Sequence, residues 1–132
     1  MIEAVLLGRL KRPGAALAAV VGDRIHPDFV PEDWALPAVF YRRINTPTTY
    51  NIDGKIDHQR PRFAFSCVAA QFEKAQALEA ALAICADFTD FQAVLDHETV
   101  HRVFVEDDGD QYDGEARRHL VTVTVEAIYT TH

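Results

Sequence analysis

Apolar and polar residues alternate along this chain in a way that marks out three helices and four strands. Residues 2–11 and 15–21 predict two short helices. In the first, Ile2, Val5, Leu6 and Leu10 recur at helical spacing, and Ala15 to Val21 is a run of strong helix formers. Pro13-Gly14 separates the two, and Gly22 is placed to stop the second. The stretch Asp23 to Pro37 contains Pro27, Pro31 and Pro37, which predicts an irregular crossover. Ala38 to Ile44 alternates as a strand, with Val39 and Tyr41 opposite Phe40 and Arg42. A long polar segment, Asn45 to Pro61, follows, and connections of this length in small domains are usually functional or mobile.

Arg62 to Ala69 alternates cleanly, with Phe63, Phe65, Cys67 and Ala69 on one face and Ala64, Ser66 and Val68 on the other. Phe72 to Phe88 carries the clearest helical period. Ala75, Leu78, Leu82 and Cys85 predict the buried stripe, with Ala81 and Ile84 widening it and Glu73, Lys74, Gln76 and Glu79 on the wet side. Val100 to Glu106 and Arg118 to Tyr129 predict the last two strands, joined as a hairpin by the acidic stretch Asp107 to Glu115. The order predicts an α+β fold. One domain, residues 1–132, would hold an antiparallel or mixed four-stranded sheet with helices packed on one face and a long loop between the first two strands.

Composition supports one ordinary core: of 132 residues, 48% are hydrophobic and 25% charged. The net charge of −7 argues against a general nucleic-acid or anionic-membrane binder, which needs clustered Lys and Arg. Apolar runs fall short of the roughly 20 residues that cross a bilayer. The start Met1-Ile2-Glu3-Ala4-Val5 lacks the basic flank of a secretory signal, so the expected setting is a cytoplasm. Cys67 and Cys85 lie in apolar surroundings without metal-ligand spacing and are expected as small buried hydrophobes.

One motif suggests chemistry. His97-Glu98-Thr99-Val100-His101 matches H-E-x-x-H, which on a helix grips zinc with both histidines while the glutamate polarises a water. Here Val100 to Val105 is β-branched and alternating, which favours a strand. On a strand, residues four apart stand about 13 Å from one another, too far to share one zinc ion. Arg102 beside the second histidine is also unfavourable for a cation. A calcium loop starting at Asp108 fails in register, because Tyr112 and Asp113 fall where a ligand and a glycine are needed. No catalytic residue, metal ligand or cofactor is therefore assigned, and the chain is expected not to be an enzyme. A small zinc peptidase using His97, Glu98 and His101, or a non-enzymatic binding module of a bacterial operon, are the alternatives.

The ordered segments resemble the tail-completion, or tail-terminator, proteins of long-tailed bacteriophages and related gene-transfer-agent particles. The likeness runs through Val21-Gly22-Asp23-Arg24-Ile25, Ala35-Leu36-Pro37-Ala38-Val39-Phe40-Tyr41 and a long loop. It continues in Phe65-Ser66-Cys67-Val68-Ala69-Ala70, the Ala-rich helix, and the hairpin from Tyr112-Asp113 through Arg117-Arg118-His119-Leu120. Val68 stands where members often carry an aromatic. The resemblance implies a virion subunit forming a ring, typically of six copies, on the head-proximal end of a tail tube. Its partners would be further copies of itself, the tail tube protein and the head-tail connector, with DNA only passing through the lumen and no membrane. It would reside at the head-tail joint of the particle, and in the host cytoplasm before assembly. Residues 45–61 would reach a neighbouring subunit, with Tyr50 and Ile52 as apolar anchors and Arg42, Arg43 and Arg60 as charge partners.

Overall fold

The computed structural model describes residues 2–31, 34–44, 50–51, 54–55, 58–59, 61–70, 73–94, 98–113 and 118–131. Helix α1 (Ile2–Lys11) and helix α2 (Ala16–Val21) lead into β1 (Ile25–Pro27) and β2 (Ala38–Ile44). Three short strands follow, β3 (Tyr50–Asn51), β4 (Gly54–Lys55) and β5 (His58–Gln59). Then come β6 (Arg62–Ala70), α3 (Lys74–Phe88), β7 (Ala93–Val94), β8 (Glu98–Asp113) and β9 (Arg118–Thr131).

The main sheet runs β1-β2-β6-β9-β8-β7, so six strands form the path where four were expected, and β5 adds a further short pairing to β9. All pairings are antiparallel except β1 with β2, which makes the sheet mixed. The four predicted strands are its centre. The supposed crossover supplies β1, whose Ile25 pairs with Val39, and the long loop contributes the β3–β4 pair and β5. The acidic stretch is mostly strand: β8 continues to Asp113, paired with Arg118 of β9.

The alternating residues meet where their period requires. Phe63, Phe65 and Cys67 of β6 and Val121, Val123 and Val125 of β9 are buried on the face that α1, α2 and α3 cover. At roughly 25 cal/mol per Å², burial of such side chains is the main stabilising term. The opposite face carries a smaller cluster at one end, where Val30, Trp34 and Leu36 cover Ala38, Val68, Phe40 and Leu120. Gly22 ends α2 as expected, with φ of 62° and its N–H donating to the Ala18 carbonyl at 2.9 Å.

Helix α3 is rotated relative to its predicted face. Its buried residues are Ala77, Ala80, Ala81, Ala83, Ile84, Asp87 and Phe88. Leu78 and Leu82 point outward, 42% and 70% exposed, and Ala75 is exposed beside them. The reason is steric. The helix lies against both the sheet and α2, and its alanines allow that close approach where leucines would hold the layers apart.

Candidate functional site

The H-E-x-x-H segment is strand, as its β-branched composition suggests. Glu98, Thr99, Val100 and His101 belong to β8, and His97 lies outside the described residues. The pairing register jumps between Val100, opposite Tyr129, and Arg102, opposite Ile128, so His101 is the extra residue of a β-bulge. That insertion changes the parity of the strand, which is why Val100 and Val103, three apart, are both buried. His101 is exposed, with Nε2 2.7 Å from Oγ1 of Thr130 across the ladder. The helical geometry that lets this motif grip zinc is absent from Glu98 to His101. Among the described residues no group of three His, Cys, Asp or Glu could hold a metal ion. No described helix is long and apolar enough to cross a membrane.

The polar centre of the helical layer is Asp87, which pattern reasoning missed. Its side chain is 3% exposed and accepts the backbone N–H groups of Ala16 at 2.7 Å and Leu17 at 2.9 Å. These are first-turn donors of α2, which an ordinary helix leaves unsatisfied. Ala15 at the N-cap has no side-chain oxygen to offer, so α3 caps α2 from outside. A carboxylate near the end of α3 opposes that helix's dipole. Arg12, with Nη2 3.8 Å from the carboxylate, and Arg9, donating from Nε to the Asp87 carbonyl at 2.6 Å, offset that. The arrangement fastens three helices together and leaves no carboxylate oxygen open for catalysis. The signal was present: a lone aspartate within Ile84-Cys85-Ala86-Asp87-Phe88.

Neither cysteine is in a disulfide. Burial, helped by the neighbouring Cys85, pushes the Cys67 thiol up to about 12, which makes it inert as a nucleophile at neutral pH.

What remains is surface. At one margin of the sheet, Phe29 follows β1 with its ring 4.6 Å from that of His26 and 57% of the residue exposed. Nearby Arg42 and Arg43 are exposed at the end of β2, the Arg43 guanidinium 5.8 Å from the Phe63 ring centre. At the other margin, a groove of about 600 Å³ lies between the end of α3 and β8, lined by Cys85, Phe88, Phe91, Val103, Phe104 and Val105 among others. Arg9 stands over Phe91 at 5.0 Å and Arg102 over Phe104 at 4.7 Å. Of the residues predicted to meet a neighbouring subunit, Arg42 and Arg43 are thus together and exposed. Tyr50 opens β3, and Ile52 and Arg60 lie outside the described residues.

A family model described as "Tail completion protein gp17" matches residues 4–130, nearly the whole chain. The class is that of structural proteins of phage tails. The chain belongs to the tail completion protein gp17 family. In fold it is similar to a chain from a structure titled "Virion of native gene transfer agent (GTA) particle". The TM-score is 0.70 at 17% identity, over 95% of this chain and 91% of that one. No curated protein sequence matches the chain.

Proposed function

We propose that the chain closes into a ring, of six copies, on the head-proximal end of a tail tube. There it ends tube growth and offers a joining surface to the head-tail connector. The observation that carries this reading is the family match over residues 4–130. The likeness in fold to a chain of a gene-transfer-agent virion supports it, as does a surface whose distinctive features are apolar and charged patches. Subunit contacts involve Arg42, Arg43, Tyr50, Ile52 and Arg60. The partners are further copies of the chain, the tube protein and the connector, and DNA passes through the lumen without base contacts. The site of action is the head-tail joint of a virion or phage-like particle, reached from the host cytoplasm.

Electron microscopy of the purified chain, alone and mixed with polymerising tube protein, tests the reading. Tubes of limited length bearing a ring at one end are expected. Tubes that grow to the same length with and without the chain, and carry no cap, would overturn it.

A further inference from the structure

The two margins of the sheet are unlike each other and complementary. On β8, the strand β7 pairs only with Thr99 and Val100, so from Arg102 to Glu106 no described strand lies on the side away from β9. An open strand side presents backbone donors and acceptors that invite another chain. This open stretch borders the groove whose apolar lining includes Phe88, Phe91 and the 41% exposed Phe104. Beyond the groove Glu106 is exposed on β8, while Arg9 and Arg102 stand over Phe91 and Phe104. The opposite margin is basic and carries a projecting aromatic. Asp28 donates its N–H to the Tyr41 carbonyl at 2.8 Å, which sets Phe29 beside the stretch of β2 that continues into Arg42. Arg42 and Glu106 also lie on one cross-strand row, through Ala64 and Thr124, on the face away from the helices.

We infer that these margins bind one another between copies: Phe29 of one subunit enters the groove beside β8 of the next, and Arg42 lies against Glu106. A second copy is the occupant because the same chain supplies both an exposed aromatic, Phe29, beside Arg42 and an apolar groove beside Glu106. Two different patches of one molecule make a heterologous contact, which closes into a ring when the rotation per subunit divides a full turn. An aromatic anchor seated in an apolar groove supplies the binding energy, and the charge pair fixes register and direction. The inference rests on the ring reading above and assigns the surface through which that ring closes.

The test uses the full chain in four variants: Phe29→Asp, Arg42→Glu, Glu106→Arg, and the last two combined. All three positions are exposed, and circular dichroism checks that each variant folds. Assembly is measured by analytical ultracentrifugation and by microscopy of capped tube ends. Phe29→Asp should raise the concentration for half-assembly about tenfold or more. Each single charge reversal should weaken assembly, and the double reversal should restore it. Rings forming equally well in Phe29→Asp, or a double reversal no better than either single one, would overturn the inference while leaving the ring reading intact. A wild-type chain that stays monomeric even at tube ends would overturn both.

Discussion

Replacing Asp87 with alanine probes the joint that holds the helical layer together. The substitution removes the acceptor of the Ala16 and Leu17 N–H groups; the Leu17 bond is buried, where water does not readily replace the carboxylate, and the Ala16 bond is part-buried. Hydrogen bonds to a charged acceptor contribute about 1.5–3 kcal/mol each, and loss of an N-cap costs about 1 kcal/mol. These overlap, because the two bonds are the cap, so the expected loss is about 3 kcal/mol. The Arg12 ion pair adds little, since its 3.8 Å separation and the 40% exposure of the arginine side chain leave it screened. Against a typical domain stability of about 5–15 kcal/mol this is a large fraction. Urea denaturation followed by circular dichroism should show the midpoint falling by about 1–2 M with little change in slope. Asp87→Asn keeps one acceptor oxygen and should lose less. An exposed control on the same helix, Glu79→Ala, should stay within about 0.5 kcal/mol. A loss below about 1 kcal/mol for Asp87→Ala would refute the account of Asp87 as the cap of α2.

The rotation of α3 predicts that Leu82→Ala changes stability by under about 0.5 kcal/mol whereas Ile84→Ala costs about 2–4 kcal/mol, measured by the same denaturation. The reverse order would return the helix to its predicted face. Gly22→Ala should cost about 1 kcal/mol, because a φ of 62° strains any residue with a Cβ, although that Cβ would meet only the Arg24 guanidinium, at an ordinary 3.8 Å. Cys67 makes stability fall at alkaline pH. Its folded value of about 12 exceeds the ordinary 9.0, so above pH 9 the unfolded chain loses the proton while the folded chain keeps it. Stability is therefore whole below about pH 9 and declines toward pH 12, by about 1 kcal/mol at pH 10. Comparison with Cys67→Ala, which should lack this increment, isolates it from other alkaline titrations.

The parts of the fold that could be read in advance are those where one residue's environment is set by its near neighbours. Pro13-Gly14 and Gly22 delimit α2 by backbone geometry alone, and the alternation of β9 follows from having one face against the helices, whereas in β6 Ser66 and Val68 are buried on the other face as well. What escaped depends on partners distant in sequence. β1 is three residues long, ends on Pro27, and exists only because β2 lies beside it. The face of α3 could not be chosen from period, since alanines surround the helix and the leucines weigh more in any hydrophobic pattern than in the packing that was realised. Asp87 finds its donors 71 and 70 residues away, on a helix whose own cap position is alanine. Of the residues expected to meet a neighbouring subunit, Arg42 and Arg43 stand together and exposed at the end of β2, whereas the groove and Phe29 come from three separate stretches of chain.

The residue that made the chain look catalytic also explains where its sheet opens. Were β8 regular, Val100 and Val103 would point to opposite faces, and one of them would leave the core. The extra His101 corrects the parity, so both valines are buried and the run Val103–Val105 keeps its alternation against Ala127 and Val125. A bulge also increases local twist and disrupts pairing on its own strand. β7 follows β8 as far as Val100 and no further, and the bulge begins at the next residue. The strand side that this leaves open, from Arg102 to Glu106, borders the groove. The second histidine of H-E-x-x-H is thus required by the sheet as an inserted residue, and its effect on β8 is what distinguishes this margin of the protein from the other.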